Sequence, residues 1–233
     1  MNVLNIYLKI KIMAGTKMII SRKGISKTYT KLLQAASEVF AEKGYRDATI
    51  ADICNRAGVN IAAVNYHFGD KETLYKEAWR YSFLKSIKAH PPDGSVSDDA
   101  PPKERLRGMV TALLRRIADE NNKEFLLVQK ELANPTGLLE EVMREEIWPI
   151  HEKLEALVRE LAGPYASDTK VRFCAISIIS QCINPMVARN RQKEKKEGKD
   201  AQPGIFDIED YANHVVRFSL AGISAISDEV EKG

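Results

Sequence analysis

The chain predicts an all-α fold. Apolar residues recur at helical period along most of its length, and strand signals are nearly absent. Its 233 residues suit one or two domains with a substantial core. The stretch of residues 91–102, PPDGSVSDDAPP, cannot continue a helix and separates two helical parts.

The first helix is expected over 28–43. Leu33, Ala36 and Phe40 share a face, with Leu32 and Val39 beside it. Gly44 is the natural stop, and Tyr45 follows as its apolar partner. Thr49 opens a second helix with a capping-box pattern, Asp52 standing for the commoner Glu. Ile50, Ile53 and Ala57 form its inner face, and Gly58 ends it. Asn60 caps a third short helix over 61–68. Asp70 caps a fourth, which runs through Leu74, Trp79 and Phe83 to about residue 89.

Beyond the proline-rich loop, apolar stripes predict helices over 104–120, 122–133 and 137–161, the last kinked at Pro149. A long apolar helix follows over 168–192, bent at Pro185. The run KEKKEGKDAQPG reads as a solvated loop, and a final helix covers 207–230.

Net charge is only +3, so the molecule is not a polycation, yet the charge is uneven. Up to Lys31 the charged residues are Lys9, Lys11, Lys17, Arg22, Lys23, Lys27 and Lys31, all basic. Such an arm reads as a contact to nucleic acid or an anionic surface, or else as a solvated tail. Lys9 and Lys11 interrupt the apolar N-terminal run before transmembrane length, and translation is expected to start at Met13 or Met18. Cys54, Cys174 and Cys182 lack metal spacing and read as reduced packing residues. No membrane segment, metal or cofactor is expected.

The second and third helices are joined by Gly58-Val59-Asn60, a helix-turn-helix spacing. Gly58 supplies the left-handed turn, Val59 and Val64 bury between the helices, and small Cys54 lets them cross closely. The third helix then presents Ala62, Ala63, Asn65, Tyr66 and His67, a mixture that suits neither a buried nor a merely solvated helix. In a major groove the alanines admit close approach, and Asn60 and Asn65 can reach base edges. Tyr66, His67, Lys71 and Thr49 would meet the sugar-phosphate backbone and set register.

Residues 28–85 resemble the DNA-binding domain of TetR-family transcriptional regulators. The residues that carry this are Ala35, Ala36 and Phe40, then Gly44-Tyr45, Thr49-Ile50, Ile53, Ala57-Gly58-Val59, Tyr66-His67-Phe68-Gly69, Lys71-Glu72 and Leu74-Tyr75. The resemblance implies DNA contacts at Thr49, Asn60, Ile61, Ala62, Ala63, Asn65, Tyr66, His67 and Lys71. It departs at Asn65, where an aromatic is usual. The Asn60–Tyr66 variant, with Asn134-Pro135-Thr136-Gly137 and Trp148-Pro149-Ile150-His151, is similar to a branch that includes CecR-like regulators of drug-transport genes.

The family's organisation implies three segments. These are a basic N-terminal arm at 1–21, a three-helix helix-turn-helix domain at 22–70, and a larger helical ligand-binding and dimerisation domain at 71–233. The last two helices would pair with a second copy through Phe173, Ile176, Ile179, Ile183, Val187, Val216, Leu220 and Ile223. The homodimer would bind double-stranded DNA at a pseudo-palindromic operator. A small apolar or aromatic effector would be lined by Phe125, Gln129, Met143, Trp148, His151, Phe173, Ser177 and Gln181. Trp79 and Phe83 are expected to tie the fourth helix to the C-terminal core, so that the effector moves it. The expected function is a cytoplasmic ligand-responsive repressor. The alternatives are an activator without small-molecule release, or an all-α interaction module. An enzyme is not expected: there is no Gly-rich phosphate loop, nucleophile elbow or metal cluster, and Glu140, Glu141, Glu145 and Glu146 read as exposed charge.

Overall fold

The computed structural model describes residues 27–119, 121–194 and 207–231, with side chains as far as 184 and 227 in the last two stretches. Nine α-helices follow one another among the described residues, and none of these residues is in a strand. They are α1 (Lys27–Asp47), α2 (Ile50–Ala57), α3 (Ile61–Phe68), α4 (Lys71–Ala89), α5 (Pro102–Ala118), α6 (Glu124–Ala133), α7 (Glu140–Ala162), α8 (Asp168–Glu194) and α9 (Ile208–Glu231). The N-terminal arm and most of the expected loop at 193–204 lie outside the described residues.

The chain divides into two compact units. The first holds the described residues of 1–89 and 120–146, the second those of 90–119 and 147–233. The first unit therefore runs past residue 70, where the sequence reading puts a boundary, because α4 packs on α1 and α6 as well as on α3.

In the first unit α1 is the central element and packs against α2, α4 and α6. Its stripe of Leu32, Leu33, Ala36, Val39 and Phe40 is wholly buried. Full burial of one such Leu or Phe stabilises by about 1.5–3 kcal/mol. The Phe40 ring meets Tyr75 edge-on at 4.8 Å, and Tyr45 stacks near Phe40 at 6.3 Å. Gly44 breaks the helical backbone at φ 77°, as its place before Tyr45 predicts. Trp79 and Phe83 are buried and stacked at 5.2 Å. Of the C-terminal half, α4 packs on α6 and is joined to α7 through Arg80 and Glu145.

In the second unit, α5, α8 and α9 pack on one another. With α7 they supply one core that includes Leu106, Val110, Leu157, Val158, Ile178 and Val215. Pro102 stands in the first turn of α5, where its missing N–H costs nothing. The preceding loop is fastened to α5 by two glycines. A β-carbon on Gly108 would lie 2.6 Å from the Asp93 carbonyl oxygen, and one on Gly94 would lie 2.4 Å from that of Gly108.

α5 starts two residues earlier than expected, at Pro102, and two helices start two or more residues late, both through side chains that hold the chain ahead of them. Asn122 accepts from the Glu124 amide at 2.9 Å, so α6 starts two residues late. Glu131 accepts from the amides of Thr136 and Gly137 at 2.8 and 2.9 Å, which delays α7 to Glu140. That helix then continues through Pro149.

Candidate nucleic-acid interface

The capping box at Thr49 is complete. Its hydroxyl oxygen accepts from the Asp52 amide, and its own amide donates to Asp52 Oδ2, both at 3.1 Å. The Thr49 amide is thus spent on the cap, and the hydroxyl proton is what it can offer a phosphate. Lys43 pairs with Asp52 at 2.9 Å. That ammonium, followed by the Thr49 bonds, lowers the Asp52 carboxyl to about 2.

The turn between α2 and α3 is a Schellman closure. The Gly58 amide donates to the Asn55 carbonyl at 3.3 Å and the Val59 amide to the Cys54 carbonyl at 3.1 Å. Gly58 takes φ 65°, ψ 42°, a left-handed conformation that a β-carbon disfavours. Cys54 is buried at the crossing, and burial raises its thiol pKa. Burial also raises Cys174 and holds Cys182 up at about 12, so these thiols stay protonated.

Residues of α3 divide cleanly by face. Val64 and Phe68 are buried, four residues apart. Ile61, Ala62, Asn65 and Tyr66 are exposed on the other side, with Tyr66 at 79% and Ile61 at 50%. Ala63 and His67 are half-buried at the margin. Two large apolar side chains left in solvent beside an amide suit a groove with both methyl groups and polar edges. Asn60 lies at the head of this row as N-cap, its Oδ1 accepting from the Ala62 amide at 3.0 Å. Its oxygen is committed to the helix, which leaves its NH2 group for DNA.

Two expected backbone contacts are set more deeply than the sequence suggests. Burial lowers the His67 pKa, so the ring is neutral at physiological pH and offers a hydrogen bond to phosphate rather than a charge. Lys71 lies 4.6 Å from the centre of the Tyr45 ring and donates to the Arg46 carbonyl at 3.4 Å. Asp70 occupies the N-terminus of α4, accepting from the Thr73 amide at 2.7 Å, so a carboxylate already matches that helix dipole.

Three residues important to this arrangement were not singled out by the sequence. Tyr29 stacks on Phe68 at 4.9 Å and meets His67 edge-on at 5.7 Å. A signal existed, since Tyr29 extends the stripe of Leu33, Ala36 and Phe40 by one turn. Arg80 and Glu131 gave none for the partners that join them to distant helices, because those partners lie far along the chain. Arg80 binds Glu145 at 2.6 Å, and Glu131 accepts from the Tyr75 hydroxyl at 3.0 Å. Glu145 and Glu146, read as solvated charge, are therefore partners of Arg80.

The expected effector-lining residues divide between the units. Phe125, Gln129 and Met143 are half-buried in the first. In the second, His151 is half-buried and Trp148 is 56% exposed, its indole N–H donating to Glu152. Ser177 and Gln181 donate to carbonyls of their own helix. Of the expected dimer-face residues, Phe173 and Ile176 are exposed, joined by Phe218 on α9. Ile179, Ile183 and Leu220 are half-buried, while Val216 and Ile223 are buried in the unit's own core. The side chain of Val187 lies outside the described residues. Among the described residues, no helix is long and apolar enough to cross a membrane.

Comparison with known proteins agrees with this geometry. The model of the tetR family of bacterial regulatory proteins matches residues 32–78. That of the C-terminal domain of the HTH-type transcriptional dual regulator CecR matches residues 102–223. The chain is 26% identical over 163 residues to CecR of Shigella flexneri, covering 66% of this chain and 73% of that protein. It is 34% identical over 101 residues to the transcriptional repressor KstR2 of Mycobacterium tuberculosis, covering 43% of this chain and 49% of that one, about half its length. Its fold is shared with the fatty acid degradation regulator FadR from Bacillus halodurans, with a TM-score of 0.65 at 19% identity over 86% of this chain and 98% of that one. With the helix-turn-helix matched in the first unit and the second match covering more than half of its length, the chain belongs to the TetR family of DNA-binding transcriptional regulators, with a C-terminal domain of the CecR type.

Proposed function

We propose that the protein binds a pseudo-palindromic operator in the cytoplasm as a homodimer, represses the gene beside it, and is released by a small apolar or aromatic effector. The observation that carries the DNA reading is the exposed row Ile61, Ala62, Asn65 and Tyr66, on a helix whose opposite face is locked into the core. Asn65 would read an adenine edge, and Ile61 would meet a thymine methyl. Thr49 through its hydroxyl, and Tyr66, His67 and Lys71, would hold the backbone. A second copy is needed because one eight-residue helix reads one half-site, and two half-sites lie a helical turn, about 34 Å, apart. Phe173, Ile176 and Phe218, exposed on the last two helices, offer the apolar face for it. The effector reading rests on the mixed apolar and polar set around Trp148 and His151 in the second unit.

A second reading, activation at some promoters, is favoured by the match to the C-terminal domain of a dual regulator. Repression is favoured by the match to KstR2, a repressor.

The test is a mobility shift of duplex DNA across a salt series, repeated with compounds that raise the protein's melting temperature. The proposal expects binding that weakens steeply with salt and is lost with at least one such compound. Unchanged affinity with every compound that binds would sink release by an effector. No shift at any salt would sink the operator reading.

A further inference from the structure

We propose that Tyr45 is a positioning residue for the DNA-backbone contact of Lys71: its ring and the Arg46 carbonyl seat the ammonium at the edge of the recognition surface without cancelling its charge. The inference rests on the operator-binding reading above and adds to it a residue that acts only through Lys71.

The lysines around this surface differ in what holds them. Lys43 pairs with Asp52 at 2.9 Å, and Lys76 pairs with Glu72 at 2.7 Å. Each of these charges is met by an acid of the same unit. Lys71 forms no ion pair among the described residues. Its Nζ lies 4.6 Å from the centre of the Tyr45 ring and donates to the Arg46 carbonyl at 3.4 Å. A ring face and a carbonyl both attract an ammonium, yet neither carries a net charge. They fix its place and leave its charge for an outside anion. Burial lowers the Lys71 pKa, and the charge of Asp47 opposes.

The seat is itself held. Tyr45 lies 6.3 Å from Phe40 and 5.0 Å from Tyr75, ring centre to ring centre, and both of those side chains are buried. Its hydroxyl makes no hydrogen bond among the described residues, so the ring face is what it offers. Arg46 is held in turn, its guanidinium donating to the Pro135 carbonyl at 3.2 Å. A lysine free in solvent gives up much rotamer freedom on meeting a phosphate. A seated one has given up part of it before DNA arrives, so the contact costs less. The carbonyl takes one ammonium proton, and the others remain for phosphate oxygens. Arg46 stands three residues before Thr49, whose hydroxyl is the other donor expected here. The segment 46–49 thus gathers both donors on one stretch of backbone.

The experiment is a double-mutant cycle on the full chain, read as affinity for a duplex that the protein has itself selected from a random pool, over a salt series. The variants are Tyr45→Phe, Tyr45→Leu, Lys71→Gln and Tyr45→Leu/Lys71→Gln, each shown to be folded by urea unfolding. With two copies bound, Tyr45→Leu should weaken binding by about ten-fold, and Tyr45→Phe, which keeps the ring face, should stay within about two-fold of wild type. In the Lys71→Gln background, Tyr45→Leu should change affinity by less than about two-fold. Lys71→Gln should lower the salt slope by about one per copy, whereas Tyr45→Leu, which keeps the cation but unseats it, should lower it by less than about half as much. Pentafluorophenylalanine at position 45 keeps the shape and reverses the charge pattern of the ring, and so tests the seat if Tyr45→Leu does not fold. It should bind DNA about ten-fold more weakly than Tyr45→Phe. A residue that only packs would give the same loss with and without Lys71, and that result overturns the proposal. Tighter binding by Tyr45→Leu would show that the seat withholds the ammonium from DNA, and overturns it too. Wild-type binding with an unchanged Lys71→Gln affinity removes the Lys71 contact and the proposal while sparing the operator reading. Failure of the wild type to bind any duplex overturns both.

Discussion

The ring of Tyr29 lies nearly flat on that of Phe68, with centroids 4.9 Å apart and planes 16° from parallel. Tyr29 is in the first turn of the described chain, and Phe68 is the last residue of the recognition helix. The stack therefore fixes the C-terminal end of α3, as the Schellman turn at Gly58 fixes its start. Tyr29→Ala should cost about 2–4 kcal/mol of stability, whereas Tyr29→Phe keeps the stack and should cost under about 1 kcal/mol. Urea unfolding measures both, and equal losses would show that the hydroxyl rather than the ring carries the contact.

Asn60 separates a structural role from a reading role. Its Oδ1 caps α3 through the Ala62 amide. Asn60→Ala should destabilise by about 1 kcal/mol, and Asn60→Ser should restore most of that. If Asn60 only caps, Asn60→Ser should also restore wild-type preference among duplexes. If its NH2 group reads a base, stability returns and the preference does not.

Acid should reveal the Lys43–Asp52–Thr49 cluster. Asp52 has a folded pKa of about 2, below its ordinary 3.8. A carboxyl depressed in the folded state contributes stability that is present above its unfolded pKa and lost as pH falls through the folded one. The gap in urea midpoint between wild type and Asp52→Asn should therefore be full at pH 6 and shrink between about pH 4 and 2. A gap that is constant down to pH 2 would contradict the assignment.

Gly108→Ala tests the fastening of the 91–101 loop. The added carbon would lie 2.6 Å from the Asp93 carbonyl and 2.7 Å from a Val96 methyl. Overpacking of this kind should cost about 1–3 kcal/mol. Thermal melting should show the loss, and proteolysis should become faster within the loop.

Caps and stripes made most of the first unit legible. Thr49 with Asp52, Gly58, Asn60 and Asp70 are local signals, because each bonds to a residue within a few positions of itself, and the structure has each at its expected place. The exposed row on α3 was legible for the same reason, since Val64 and Phe68 mark its buried side. What escaped was long-range. Nothing near Arg80 announces Glu145, 65 residues away, and nothing near Tyr75 announces Glu131, 56 away. The same holds for depth: Lys71 reads as a free cation until Tyr45 is placed beneath it. The second unit was legible as helices only. Trp148 and Phe173 qualify equally as lining or as surface by type, and the structure leaves both more than half exposed.

The most direct test of the central claim is selection of duplexes from a random pool at physiological salt, with wild type and Asn65→Ala side by side. The account predicts a two-fold symmetric site for the wild type, and for Asn65→Ala the same site with preference relaxed at one position in each half, a loss of about 1–3 kcal/mol of discrimination there. An asymmetric site, or an Asn65→Ala site identical to the wild type's, would contradict the role given to the exposed face of α3.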